Sequence, residues 1–247
     1  MPSLSIRHFA HAFIWVQRHL RGKLPAPDAT FAALLLAPSD VAFDVGAHSG
    51  TWTVALSSLL PNGHVYSVEA LPYYAEVLRL TFSLLRRRNV TVLNRAVNDT
   101  GEQVSLVWRN ADGTRLTGFT HIAGSEEDEE GTVSVSGLRL DSLIASIQPR
   151  RIRFIKMDIE GAELPALRGA QAILETDQPA LYLEAWASHA KRYGYELSEL
   201  FAYLRELSYS AFLARYGERP TPISASDYSG EGDLWFLTEA DAKLLAG

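Results

Sequence analysis

Three ionisable residues alternate at the end of one apolar stretch: Lys156, Asp158 and Glu160 in FIKMDIEG. Side chains in an extended strand point to opposite faces in turn, so a spacing of two puts all three on one face. Lys156 and Asp158 can form a structural ion pair. Alternatively, Lys156 keeps Asp158 ionised, because a nearby cation lowers a carboxylate pKa. An ionised Asp158 at a strand tip could orient a hydroxyl and accept its proton, which is general-base chemistry. Asp158 and Lys156 are therefore the candidate catalytic residues. Glu160 either joins them or caps the helix that begins after it. Paired carboxylates also suit magnesium, but no third ligand is evident near Asp158 and Glu160, so no metal site is assigned. Glu184 and His189, around the end of a later apolar run, are the next candidates for contact with an acceptor.

A second group of residues points to a ligand class. In FDVGAHSGTWTVAL an apolar strand turns through Gly46 and Gly50 into a helix. Gly46 lets the backbone approach a ligand closely, and Gly50 lets the helix start tight against the strand. The free N–H groups of that helix start form a polar cradle. Dinucleotide sites use such a cradle with the spacing G-x-G-x-x-G. Here the spacing fails. With Gly46 as the first glycine, His48 stands in the second place; with Gly46 as the second, Asp44 and Ser49 fill the others. A carboxylate from Asp44 at the strand tip would repel a diphosphate and favour a cation. S-adenosylmethionine carries a sulfonium and an ammonium and has no phosphate. Glu69, at the end of the next strand, can accept from both hydroxyls of a ribose. The third strand ends near Asn94–Val97, the level at which an adenine sits. Taken singly, these residues also read as a helix cap, packing glycines and a surface acid. Their occurrence on successive strands favours a ligand site.

The elements that must hold these residues follow an alternating rhythm. Strands are expected at VAFDVG (41–46), HVYSVEA (64–70), TVLNRAV (91–97), RFIKMDI (153–159) and ALYLEAW (180–186). Helices separate them, over 72–87 and 161–174 among others. Strands that alternate with helices make a parallel sheet with ligands at its carboxyl edge. The stretch 98–150 breaks the rhythm with strands at EQVSLVW (102–108) and TVSVSGLRL (132–140), which read as a β insertion around the acidic run Glu126–Glu130. After a helix over 196–207, YSAFLAR (209–215) and DLWFLT (233–238) close the chain as two strands. Residues 1–38 form a helical extension to a domain at 39–247. Its first helix, 4–21, has Phe9, Phe13, Val16 and Leu20 at helical spacing, and Asp28 is the expected N-cap of the second.

Bulk properties narrow the function. The chain has 247 residues, 47% of them hydrophobic, enough for one α/β domain with a real core. A net charge of −6 excludes nucleic acid as the main partner, since phosphate backbones demand clustered Lys and Arg. With no cysteine, disulfides, thiol nucleophiles and Cys-ligated metals are excluded. No stretch reads as a membrane span or a signal peptide, which gives a cytoplasmic expectation. The first helix admits three uses: cover over the active site, homo-oligomerisation, or peripheral contact with a membrane. Cover is the reading adopted.

The strings VAFDVGAHSGTWTVALS, VYSVEA, RAVNDTGEQVSLVW, LRLDSLI and IRFIKMDIEGAELPALRGA together resemble the FkbM-type methyltransferases. KMDIEGAE with the upstream LDSL is the most specific pair. The resemblance implies a Rossmann-like class I methyltransferase fold, whose mostly parallel seven-stranded sheet ends in an antiparallel hairpin. It implies S-adenosylmethionine as cofactor and O-methylation of a hydroxyl on a natural product, sugar or other small molecule. The cofactor-binding set is then Asp44, Gly46, Ala47, His48, Gly50, Glu69, Ala70, Ala96 and Asp158. Leu71 stands where the family often has a proline after the acid. N-methylation and a non-catalytic binding module are the rival functions. The latter would need a degenerate cofactor loop, and none is evident.

Overall fold

Apolar runs of five or six residues, each followed by a turn and a helix, are long enough only for strands buried on both faces. In the computed structural model, which describes residues 5–107, 121–122, 131–147, 151–215 and 218–246, they form the centre of the molecule. Two helices, α1 (Ile6–Leu20) and α2 (Ala29–Leu35), precede β1 (Val41–Val45). Then come α3 (Thr51–Leu59), β2 (His64–Val68), α4 (Pro72–Leu84) and β3 (Val90–Leu93). The insertion holds β4 (Ala96–Val97), β5 (Val104–Val107), β6 (His121–Ile122), β7 (Thr132–Val135) and β8 (Gly137–Leu138). Next are α5 (Leu140–Ile147), β9 (Ile152–Met157), α6 (Glu163–Arg168), α7 (Gln171–Thr176) and β10 (Ala180–Glu184). The chain continues through α8 (Ala187–Arg192), α9 (Leu197–Glu206), β11 (Ser210–Arg215), β12 (Glu218–Pro222), β13 (Asp233–Leu237) and α10 (Glu239–Ala246). No described helix is long and apolar enough to cross a membrane.

The main sheet has the order β12-β11-β13-β10-β9-β1-β2-β3. The five strands from β10 to β3 are parallel, and β13, β11 and β12 add antiparallel pairs at the other edge. This is the expected Rossmann-like sheet with one correction: it has eight strands, not seven. The added strand, β12, reads ERPTP, and its two prolines disguise it as a turn. Proline lacks an N–H and is tolerated at an edge, which is where β12 lies. Connections run outward in both directions from β1, so the order reverses between β1 and β9. The crevice above that point is where open α/β sheets bind ligands.

Other elements depart from expectation for identifiable reasons. The run 91–97 is two strands. Asn94 interrupts it, its side-chain amide donating to the carbonyls of Glu69 (3.0 Å) and Ala70 (2.7 Å). Ala96–Val97 then pairs with Gly137–Leu138 in a separate parallel ladder. The single helix expected over 161–174 is divided at Gly169-Ala170. Asp141, from the LDSL string, accepts from the free N–H groups of Ala172 (3.1 Å) and Ile173 (3.2 Å) and so caps α7 from another helix. Asp28 makes no cap bond; its carboxylate lies 3.2 Å from the Tyr182 hydroxyl. The acidic run Glu126–Glu130 falls outside the described residues.

The buried face of α1 keeps only Val16 of the expected set Phe9, Phe13, Val16 and Leu20. Ala12, Trp15 and Val16 are buried against α4, while Phe9 (51% exposed), Phe13 (58%) and Leu20 (70%) face outward. Ring contacts decide this. Trp15 stacks on Tyr74 of α4 and meets His48 edge-on, and His19 Nε2 donates to the carbonyl of Ser49 at 3.0 Å. The first helix therefore braces the loop after β1 from outside.

Candidate active site

A cavity of about 350 Å³ opens above the switch point, within the range of small-ligand sites. Gly46 and His48 contribute from the loop after β1, Glu69, Ala70 and Leu71 from the end of β2, and Ala96 and Val97 from β4. Asp158 and Glu160 enter from the end of β9, and Glu184 from the end of β10. Of the residues expected to hold a cofactor, Gly46, His48, Glu69, Ala70, Ala96 and Asp158 thus meet round one space. Asp44, Ala47 and Gly50 do not line it. Gly50 leaves no room for a side chain between the start of α3 and the Phe82 and Leu78 side chains of α4.

Gly46 is required by a close approach. Its φ is +75°, and a Cβ there would collide with the carbonyl oxygen of Asp158. The tips of β1 and β9 can lie this close only without that side chain.

Asp44 is the main displacement from expectation. It is wholly buried beneath the loop. Thr53 Oγ1 donates to its Oδ2 at 2.6 Å, and Lys156 Nζ lies 3.5 Å from its Oδ1. The carboxylate at the strand tip is therefore neutralised from below. Lys156 is shared: its Nζ is also 3.5 Å from Asp158 Oδ2 and donates to the Gly46 carbonyl at 2.8 Å. Burial works against the ammonium, but Asp158 and Asp44 outweigh it and hold its pKa above the ordinary lysine value. Asp158 itself follows β9, with its N–H on the carbonyl of Val45 (3.1 Å) and its side chain 46% exposed.

Glu69 organises the opposite wall. Its Oε2 accepts from the His48 N–H (2.9 Å) and its Oε1 from the Leu71 N–H (2.8 Å), so one side chain ties two loops. Each oxygen keeps a second lone pair for a ligand. Burial pushes Glu69 up to about 6; the two backbone donors and Lys156 pull it down, and Asp44 adds to the rise. His48 has a φ of +42° and a lowered pKa, first through burial.

The third wall carries a cluster that spacing alone did not assemble. Period-two spacing puts Glu160 on the face of Asp158, but the Glu160 carboxylate meets His189, which in turn meets Glu184. His189 Nδ1 is 3.3 Å from Glu160 Oε2 and 3.3 Å from Glu184 Oε2. Burial, then Asp158, pushes Glu160 up to about 7. Burial also raises Glu184, with Asp158, Glu163 and Glu160 adding to it. Glu163 supports the loop by accepting from the Ile159 N–H at 2.8 Å. Tyr74, Arg95, Leu106 and Tyr193 also line the cavity, and no spacing in the sequence points to them. They come from a helix face, a strand break, the insertion and the end of α8, and no local pattern links them.

The sequence matches the model of the methyltransferase FkbM domain over residues 44–211, more than half of the chain. The chain belongs to the FkbM methyltransferase family. The matched span contains the carboxyl end of every strand that reaches the cavity. Among solved structures, the FkbM methyltransferase of Methylobacillus flagellatus KT is similar at 17% identity and a TM-score of 0.54. That comparison covers 93% of this chain and 59% of the other, so the chain spans well under two thirds of that protein's length. An O-methyltransferase from Bacillus cereus, solved with SAH, is similar at 16% identity with a TM-score of 0.49, covering 93% of this chain and 91% of its own. No curated protein matches the sequence. The shared fold is the Rossmann-like methyltransferase fold.

Proposed function

We propose that this FkbM-family chain transfers a methyl group from S-adenosylmethionine to a hydroxyl of a small molecule, natural product or sugar. One observation carries this reading. Four acidic side chains, Glu69, Asp158, Glu160 and Glu184, line the cavity, and Arg95 is its one arginine among the described residues. Burial raises Glu160 to about 7 and Glu184 to about 9, so an approaching cation draws out their charge and is favoured, whereas a diphosphate or a nucleic acid gains nothing from this wall. Lys156 is shared between buried Asp44 and Asp158 and offsets only one of these two charges. S-adenosylmethionine supplies an electrophilic methyl on a cationic sulfur. In this reading Glu69 accepts from the ribose, Ala96 and Leu106 form an apolar wall for the adenine, and Asp158 orients the acceptor. The chain's own contribution is alignment, which alone can be worth roughly 7–11 kcal/mol, and a group to take the hydroxyl proton.

Titration calorimetry tests the cofactor. S-adenosylmethionine and S-adenosylhomocysteine are expected to bind and NAD is not. Glu69→Ala should weaken binding by about 1.5–3 kcal/mol, the scale of hydrogen bonds to a charged group. NAD binding, or an unchanged affinity in this variant, would defeat the reading.

The pH dependence has a definite sign. Ribose hydroxyls donate to the ionised Glu69, so its contribution to affinity, read as wild type against Glu69→Gln, should be flat above about pH 6 and fall roughly tenfold per unit below it. The groups facing Glu69 are His48 and Asp44 on the β1 side and Lys156 from β9. Stability of the free protein runs the other way. The raised Glu69 pKa contributes stability fully present below the ordinary glutamate value, and that contribution is lost as pH rises through about 6. Affinity that rises on acidification would exclude Glu69 as the ribose acceptor.

The N-terminal helix enters through its contact with Ser49. His19→Ala removes that hydrogen bond and should raise the cofactor dissociation constant about fivefold, near 1 kcal/mol. If only turnover changes, α1 acts on the acceptor and not on the cofactor loop.

A further inference from the structure

We infer that Glu160, Glu184 and His189 form a site for a divalent first-row metal ion on the wall of the cavity. The three offer donor atoms that all lie within 4.8 Å of one another. Donors about 2.0–2.2 Å from one ion at a near-tetrahedral angle stand about 3.3–3.6 Å apart. His189 Nδ1 is 3.3 Å from an oxygen of each carboxylate.

A hydrogen-bonded bridge accounts for the cluster less well. A ring nitrogen carries at most one hydrogen and cannot serve both carboxylates. Glu160 is 8% exposed, and its Oε2, the atom aimed at His189, is buried and accepts no hydrogen bond among the described residues. A buried carboxylate oxygen left in this state is costly, and a cation between the three groups would satisfy it. Lys156 is committed to Asp44 and Asp158.

The ligands are positioned independently of any ion. Glu184 ends β10. The His189 ring stacks on Trp186 at 5.8 Å and 21°, which sets its plane. Gly161 allows the loop after β9 to lie against the His189 carbonyl, where a Cβ would collide. Two oxygens and one imidazole suit manganese or zinc better than calcium, which takes six or more oxygens. Glu160 and Glu184 line the cavity and His189 lies behind them, so an ion held by the three would sit at the cavity's edge. The ion's role rests on the methyl-transfer reading. It would take two neighbouring oxygens of the acceptor, such as a vicinal diol or a hydroxyl beside a carboxylate, and make the bound hydroxyl easier to deprotonate.

The test uses the full chain, stripped with a chelator and titrated with Mn²⁺ without cofactor, followed by electron paramagnetic resonance and calorimetry. One ion per chain is expected. Glu160→Gln and His189→Ala should each raise the Mn²⁺ dissociation constant at least tenfold, with the unfolding midpoint checked alongside. Glu184→Gln serves if either variant fails to fold. Wild-type protein that binds neither Mn²⁺ nor Zn²⁺, or variants that bind as tightly as wild type, would overturn the site. S-adenosylhomocysteine affinity on the chelated protein reports on the cofactor reading separately, so the two ideas fail independently.

Discussion

Asp158→Asn is expected to fold normally, to bind the cofactor within a few-fold of wild type, and to lose about 10²–10⁴ in turnover, the usual range for a general acid–base group. Asp158 stands where β9 meets β1, its N–H held by the carbonyl of Val45. One carboxylate oxygen faces Lys156, and the half-exposed side chain lines the cavity. The amide keeps the shape and removes the charge. In the transfer the hydroxyl oxygen forms a bond to the methyl carbon, the carbon–sulfur bond breaks, and the hydroxyl proton must leave. Among the described residues Asp158 is the cavity acid that pairs with a lysine, Lys156, which keeps it in place as the proton arrives. Steady-state kinetics at saturating cofactor, with calorimetry alongside, separates two outcomes. A sharply raised dissociation constant with turnover intact would make Asp158 a ligand for the cofactor's ammonium. The base would then have to be sought at Glu184 or His189.

Lys156→Met is expected to lower folding stability by about 3–5 kcal/mol, the cost of stranding one partner of a buried ion pair. Lys156 is 5% exposed, and Asp44, which it neutralises, is wholly buried. Its hydrogen bond to the Gly46 carbonyl also anchors the loop that closes the cavity. The raised lysine pKa contributes stability that is complete below the ordinary lysine value and lost only as pH rises beyond it. The lysine's own contribution is therefore the same at pH 6 and pH 8, and because Lys156 also pulls Glu69 and Glu160 down, the penalty in urea unfolding should be larger at pH 8 than at pH 6. Adding Asp44→Asn should restore part of the loss, because the stranded charge is then gone. A loss under about 1 kcal/mol, or no recovery in the double variant, would show that the pair does not hold the loop.

The chain's local patterns were sufficient for the parallel sheet, the glycine turn after β1 and the acid at the end of β2. Apolar runs bounded by turns specify strands wherever they are placed, and Glu69 needs only its position at a strand end to reach the cavity. The family strings were legible for the same reason: each is contiguous. What Asp44 does could not be read in this way. Its neutralising lysine lies 112 residues later, and only the pairing of β1 with β9 brings Lys156 beneath it. The Glu160–Glu184–His189 cluster likewise needs β9 and β10 side by side and Gly161 packed on α8. Period-two spacing instead pointed Glu160 toward Asp158, and the turn at Glu160, with a φ of +60°, redirects it. The face of α1 was decided by Tyr74 and His48, because an amphipathic helix with aromatics on both sides buries whichever set finds partners. The edge strand Glu218–Pro222 exists only because β11 offers it a ladder. Contiguous signals therefore settled which elements form and which ligand class they suit, whereas charge compensation and ligand convergence arise between strand ends distant in sequence and were decided by the tertiary structure.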